Sequence, residues 1–333
     1  MQKPTICFIS RKSTPKYYSI ERVISQIESR IRNRYNVRHE RCPFESRGFF
    51  RLVLNIVHFL FQKDADIYHI TGDVHYLALP LRSRSTILTI HDCASLHRLK
   101  GIKRFVFHWL WYRIPVRTAK LITVISDHTR QELMSFVGGN IHKIRVIPDP
   151  VSTEFKPSKR EFSRHCPVIL QIGTKANKNL DRVILSLMGL RCHLRIVGTL
   201  SSGQFQLLKD SGITFSNVRC IDDEQVVKEY QDCDMVLFVS TYEGFGLPII
   251  EAQSSGKPLI TSHLPPMSAI AGNGAVFADP FDTDSIRRAI DTVIEDEDLR
   301  RQIVEAGLEN VKKYNADGVA ELYMREYENL LNS

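Results

Sequence analysis

Short β-branched apolar runs alternate with helix-length segments along most of this chain, and the alternation restarts once. In the first half the apolar runs are Thr5–Ser10, Ile67–Ile70, Thr86–Ile90 and residues 121–125. Helical patterning fills residues 20–33, 49–62, 102–118 and 127–136 between and after them. Runs this short and apolar are buried on both faces, and strand–helix–strand repetition builds a parallel sheet covered by helices. The segment Ile147-Pro-Asp-Pro-Val-Ser-Thr-Glu-Phe-Lys-Pro-Ser-Lys interrupts the pattern with Pro148, Pro150 and Pro157, so it reads as a linker. Beyond it the runs at Val168–Ile172 and residues 194–197, 218–221, 235–239 and 258–261 predict a second sheet. Helices are expected over 177–188, 223–231, 247–255, 282–295, 299–314 and 318–331. The pattern therefore predicts an α/β protein of two doubly wound, Rossmann-like domains facing across a cleft. The expected boundaries are 1–150 for the first domain and 151–315 for the second. Residues 316–333 are expected to form a helix that crosses back onto the first. Ligands of such sheets bind beyond the carboxyl ends of the strands.

Charge separates the two halves. Residues 1–150 carry 25 Lys and Arg against 11 Asp and Glu, whereas residues 151–333 carry 20 against 26. A basic front half suits an anionic lipid surface or an anionic substrate. It holds no nucleic-acid recognition module, so a nucleic-acid partner is not expected. No run reaches the roughly 18–20 apolar residues that span a bilayer. The opening Met1-Gln-Lys-Pro-Thr-Ile-Cys-Phe-Ile-Ser reads as a strand and not as a secretory signal. Seven scattered cysteines without a Cys-x-x-Cys pair suggest neither a zinc site nor a disulfide framework, and fit a reducing cytoplasm.

The most informative stretch is Phe238-Val-Ser-Thr-Tyr-Glu-Gly-Phe-Gly-Leu-Pro-Ile-Ile-Glu-Ala. A buried strand ends near Ser240. The glycines of Glu243-Gly-Phe-Gly permit a sharp turn, and Pro248 suits the first turn of a helix. Gly256 sits where a C-terminal cap belongs. The backbone N–H groups at residues 245–248 then form an N-terminal site for an anionic or oxygen-rich ligand. Glu243 before the turn and Glu251 within the helix frame it. A carboxylate can accept from both hydroxyls of a ribose diol.

Glu243-x7-Glu251 with Gly-Phe-Gly-Leu-Pro between resembles the signature of the retaining glycosyltransferases of family four, which have the GT-B fold. Other pieces occur in the family's order: Thr89-Ile-His-Asp, Ile122-Thr-Val-Ile-Ser-Asp-His-Thr-Arg, Val146-Ile-Pro-Asp-Pro-Val and Gln171-Ile-Gly-Thr-Lys-Ala-Asn-Lys-Asn-Leu. The resemblance covers roughly residues 85–280. It implies transfer of a hexose-type sugar from a nucleoside diphosphate sugar to a hydroxyl of a saccharide or lipid-linked acceptor, with retention and without a metal or other cofactor. It implies polysaccharide, lipopolysaccharide or glycolipid assembly as the setting. Carried over to this sequence, Lys178 binds the diphosphate, Gly173 lets the backbone approach it, and Thr174 donates nearby. Glu251 holds the ribose, and Ile221 lies where the backbone meets the base. Glu243, Gly244, Phe245, Gly246 and Leu247 hold the donor sugar or its phosphate, and His91 faces the sugar from the first domain. His91, Glu243 and Lys178 form the implied catalytic set. The chain departs from the pattern in three places. Lys175 and Asn177 stand where many relatives have an arginine, the loop 10–19 lacks paired glycines, and Asp149-Pro150 replaces Asn-Gly at the junction.

Other readings attach to other residues. Asp64-Ala-Asp66, Asp232-Cys-Asp234, Asp282-Thr-Asp284 and Asp296-Glu-Asp298 match the metal-holding Asp-x-Asp string of other glycosyltransferases. The first two precede strands and the last two begin or interrupt helices, so all four are expected to cap elements. A nucleotide-sugar epimerase or hydrolase, or a non-catalytic nucleotide-sugar-binding protein, could use the same scaffold. Both tryptophans, Trp109 and Trp111, lie in a segment with Lys103, Arg104, Arg113 and Arg117, and a second apolar helix begins near Arg47 and Arg51. These segments predict helices that cover the sheet, with part of the aromatic and basic surface in weak, salt-sensitive contact with an anionic membrane on its cytoplasmic face.

Overall fold

The computed structural model describes all residues except 1–2, 13–18, 63, 83, 139–141, 159 and 333. Much of the expected loop 10–19 therefore lies outside the described residues. The chain forms two compact units. One contains residues 1–150 together with 316–333, and the other residues 151–315.

The first unit is built on a six-stranded sheet. Its strands are β1 (Thr5–Ser10), β2 (Asn36–Arg41), β3 (Ile67–Ile70), β4 (Thr86–Ile90), β5 (Leu121–Val124) and β6 (Ile144–Val146). Their order is β2-β1-β3-β4-β5-β6, and every pairing is parallel. The strand order reverses between β1 and β3, where chain neighbours β2 and β3 flank β1 on opposite sides. β3, β4 and β5 are buried along their whole length, as apolar runs require. The helix Ala316–Leu331 packs against the helix Ser19–Ile31. Tyr327 is fully buried there, edge-on to Tyr35 at 5.7 Å and hydrogen-bonded to His69 at 2.8 Å. The core thus holds a polar cluster: His69 also bonds Thr89 at 2.7 Å, and Thr89 bonds Thr123 at 2.7 Å.

The second unit carries β7 (Val168–Ile172), β8 (His193–Val197), β9 (Thr214–Val218), β10 (Met235–Phe238), β11 (Leu259–Ser262) and β12 (Val276–Ala278). Their order is β9-β8-β7-β10-β11-β12, again parallel throughout. Here the order reverses between β7 and β10. The chain enters this unit at Val151 and leaves it at Asn315, and these two residues pair in a parallel bridge.

The Asp-x-Asp strings do cap elements. Asp66 accepts the Thr5 N–H at 2.7 Å. Asp234 is buried and accepts from Arg160, Ser163 N and Val168 N. Asp282 and Asp296 are the N-caps of the helices Thr283–Glu295 and Glu297–Asn310.

Several expectations shift. β2, β6 and β12 are not apparent in the sequence pattern, and neither is the helix Ser202–Asp210. The strand expected at 218–221 instead spans Thr214–Val218, and Cys220 takes a left-handed φ of 54° that no strand tolerates. Residues 102–118 are not one uniform helix. A wider-wound turn at His108–Arg113 separates the helices Gly101–Phe107 and Ile114–Thr118. Trp111 is buried and stacked on Phe107 at 4.6 Å, and Tyr112 is buried beside it, so neither ring can meet a membrane.

Candidate active site

The reversal of strand order between β7 and β10 opens a crevice at the carboxyl ends of the second sheet. Two loops meet there. The first leaves β7 through Gly173, whose φ is +88°. A Cβ on Gly173 would also lie 2.9 Å from Cγ of Lys178, so the glycine makes room for the lysine stem as well as for the turn. Lys178 ends a short 3₁₀ turn, Ala176–Lys178, and does not begin a helix as expected. Asn179 follows in the left-handed region at φ 61° and starts the helix Leu180–Leu187. Its buried side chain donates to Val239 O at 3.1 Å and Pro280 O at 2.6 Å, which stabilises the unusual backbone.

The second loop leaves β10 and runs through Glu243 to Gly246, which at φ 104° caps the helix Leu247–Ser254. Phe245 is buried and lies edge-on to Tyr314 at 5.6 Å, pinning the turn to the body of the unit. Pro248 occupies the first turn of the helix, as the sequence indicated.

The two loops are stitched together. Lys178 Nζ meets Glu243 Oε1 at 2.6 Å and lies 4.7 Å from the centre of the Phe238 ring. Asn177 donates to Tyr242 O at 2.9 Å and to Glu243 Oε1 at 3.3 Å, and its carbonyl accepts the Thr241 N–H at 2.9 Å. Beneath them Gln171 donates to Gly173 O at 3.2 Å and Lys178 O at 3.0 Å, holding the loop from both ends. Lys178 and Glu243, 65 residues apart in sequence, thus form one largely buried ion pair at the crevice. An ammonium so placed can pair with an anionic group, and the adjacent carboxylate can accept from hydroxyls.

Glu251 is 3% exposed, and its Oε2 accepts from the Tyr230 hydroxyl at 2.7 Å. A carboxylate this deep is retained where polar partners hold it. Gly244 lies in the same loop as Glu243, and Leu247 is the first residue of the helix. Thr174 donates its hydroxyl to Thr199 O at 2.6 Å, so the expected donation toward a phosphate competes with a bond already made. Ile221 does not end a strand. It precedes Asp222, the N-cap of the helix Asp223–Asp232, whose capping box with Gln225 stabilises that loop.

His91 belongs to the first unit, at the carboxyl end of β4. Its Nε2–H donates to Thr71 O at 2.9 Å, which makes Nδ1 the acceptor nitrogen of the neutral ring. Asp149, buried in the same unit, has its carboxyl pushed up by burial, partly offset by the charge of His91.

Gln171, Asn179 and Tyr230 are the supporting residues that the sequence did not single out. A polar residue in an apolar strand run and an Asn directly before a helix were signals for the first two. Nothing local marks Tyr230.

Two family profiles divide the chain. Residues 10–155 match Glycosyltransferase Family 4, and residues 153–310 match Glycosyl transferases group 1. D-inositol 3-phosphate glycosyltransferase of Corynebacterium diphtheriae is 30% identical over 290 residues, 76% of this chain and 67% of that one.

The chain belongs to the family 4, group 1 glycosyltransferases.

Another relative of this glycosyltransferase is the O-antigen chain mannosyltransferase B of Escherichia coli. It is 27% identical over 278 residues, 75% of this chain and 70% of that one. Of the serotype-specific mannosyltransferase WbdA from the same organism the chain spans only about a third, 34%. HepE of Anabaena, solved in complex with UDP-glucose, superposes with a TM-score of 0.81 over 98% of this chain and 100% of that one, at 16% identity. The fold of this glycosyltransferase is GT-B.

Proposed function

We propose that the protein transfers a hexose from a nucleoside diphosphate sugar to a hydroxyl of a saccharide or lipid-linked acceptor, with retention and without a metal. The observation that carries this reading is the Lys178–Glu243 pair at the strand-order reversal of the second sheet, with Gly173 cleared beneath the lysine stem. Departure of a nucleoside diphosphate builds negative charge, and the Lys178 ammonium, held at the crevice by Glu243, donates to it and stabilises it. Glu251, oriented by Tyr230, receives the ribose hydroxyls. Glu243 and the turn Gly244–Leu247 hold the sugar, and Ile221 neighbours the base. The leaving phosphate assists deprotonation of the acceptor hydroxyl. The names of the E. coli relatives favour O-antigen or similar polysaccharide assembly and a mannosyl donor, and the ligand bound to HepE makes a glucosyl donor the first comparison. The setting is the cytoplasm, at or near the membrane where lipid-linked acceptors are glycosylated.

A thermal-shift panel of mannose-, glucose- and galactose-bearing nucleoside diphosphates tests this. A true donor at 100 times its dissociation constant stabilises the protein by about 2.7 kcal/mol. Free nucleotide should then accumulate only when an acceptor is added. Release without acceptor favours a hydrolase, and interconversion of the sugar an epimerase. Stabilisation by no member of the panel removes the donor assignment, and activity lost to a chelator removes metal independence.

A further inference from the structure

The helix Phe49–Leu60 is apolar all round: Leu52, Ile56 and Phe59 pack against the core of the unit, and its outer face is apolar as well. Its buried residues are Asn55 and Phe59, while Val53, Leu54, Val57 and Leu60 are exposed. Phe49, Phe50 and the following Phe61 are 74%, 82% and 83% exposed. The inward face is anchored by a polar group: Asn55 pairs with both the N–H and the C=O of Phe44 and donates to the Tyr76 hydroxyl at 2.9 Å. A helix that only covers a sheet would present a polar outer face. Scattered exposed apolar residues are ordinary, but seven on one helix and its end form a contiguous feature that signals a contact.

A second element lies on the same support. The Tyr76 ring is 4.9 Å from Trp111, which stacks on Phe107 at the end of the helix Gly101–Phe107. The start of that helix exposes Ile102, Phe105 and Val106 together with Lys103 and Arg104. Tyr76 thus braces both apolar surfaces, and the buried Trp111 is part of the brace. Residues 46–62 and 93–120 contain no Asp or Glu. Within them Arg47, Arg51, Arg98, Lys100, Lys103 and Arg104 are exposed. The apolar faces therefore carry a predominantly cationic rim, beside which the carboxylates of Glu45, Asp64 and Asp92 are exposed. A second copy meeting this face through a two-fold contact would set these cations against their own equivalents. An anionic lipid surface pairs with them.

We infer that this flank of the first unit rests on an anionic bilayer. The outward face of Phe49–Leu60, with Phe61, enters the boundary between headgroups and acyl chains, and the rim cations sit at headgroup level. The surface is separate from the donor site, so either assignment can fail without the other.

The test is sedimentation of the full chain with phosphatidylcholine vesicles, with and without phosphatidylglycerol, at low and high salt. Binding is expected to the anionic vesicles at low salt and to weaken at high salt. The double variant Lys103→Gln/Arg104→Gln should lower partitioning about 30-fold, at about 1 kcal/mol per basic residue. The triple variant Phe49→Asp/Phe50→Asp/Phe61→Asp alters only exposed positions and should keep the wild-type melting temperature while losing vesicle binding. Lys178→Ala should bind vesicles as the wild type does. Three results would overturn the inference: no pelleting with anionic vesicles at low salt, pelleting untouched by the triple variant, or a concentration-dependent dimer that the triple variant abolishes.

Discussion

The two units follow one plan and differ in what they place at the same point of it. Each has six parallel strands and one reversal of strand order. In the second unit the loops at that reversal close on each other through Lys178, Glu243, Asn177 and Gln171. In the first unit the reversal lies between β1 and β3. There His91 is tied to Thr71 O just beyond β3, and the polar groups have moved into the core as His69 and His75. The outer surfaces differ as well: the first unit has its apolar helix face and basic rim, and the second, residues 151–315, carries 19 Lys and Arg against 22 Asp and Glu. A doubly wound sheet decides where a ligand site can be. The residues in the loops decide whether a charged site is assembled there.

The sharpest way to break this comparison is acid. Burial, with the charge of His91, holds His69 down to about 3, and burial holds His75 down to about 4. The unfolded chain binds these protons near pH 6.5. Stability is therefore present above about pH 6.5 and is lost as pH falls toward 4, by about 3 kcal/mol for each histidine at 1.36 kcal/mol per unit. The histidine of the second unit that is also shifted downward, His193, is only half-buried. Asp73 of the first unit, raised by burial to about 6, gains stability as pH falls through that value and offsets about 2–3 kcal/mol of the loss. The two histidines outweigh it, so hydrogen exchange read unit by unit from pH 7 to 4 should show residues 1–150 and 316–333 opening first. Equal loss in both units would mean that the buried histidines do not distinguish them.

Next in size is Lys178→Ala. Removing the fixed cation should lower turnover on the order of 10²–10³. Hydrogen exchange of the first unit should not change, because every contact described for the Lys178 side chain lies in the second. Full turnover in the variant would strip the second unit of its assigned role.

Smaller still is Glu251→Gln, which tests whether the buried carboxylate serves a ligand or only the Tyr230 bond. Loss of a charge-assisted hydrogen bond should weaken nucleoside diphosphate binding by about 1.5–3 kcal/mol, measured by calorimetric titration. Unchanged affinity with a lowered melting temperature would make Glu251 a tie between two helices of the second unit.

Much of the fold was legible because central parallel strands are buried on both faces. β10 is therefore an uninterrupted apolar run in the sequence, and β3, β4 and β5 are apolar or β-branched throughout apart from Tyr68 and His69. The strands that were missed or shifted are of another kind. β2, Asn-Val-Arg-His-Glu-Arg, and β9, Thr-Phe-Ser-Asn-Val, are edge strands that are half-exposed along much of their length. Without two-sided burial they need no apolar run, so no run marks them. The turn at Glu243–Gly246 was readable because glycine and proline constrain the backbone locally, and Gly246 has the positive φ that the sequence suggested.

The sequence by itself determined the alternation that builds two parallel sheets, the break between them near residue 150, the helix caps at Asp282 and Asp296, and the family signature. These depend on neighbours in the chain or on a periodicity of a few residues. Only the tertiary structure decided that Lys178 lies on Gly173 and pairs with Glu243, that Tyr230 holds Glu251, and that Trp111 is buried while Phe49 and Phe50 are not. Sequence periodicity marks which face of a helix is apolar. The direction that face takes is set by where the helix is anchored, and Phe49–Leu60 is anchored by Leu52, Ile56 and Phe59 in the core and by Asn55, bonded to residues 11 and 21 positions away.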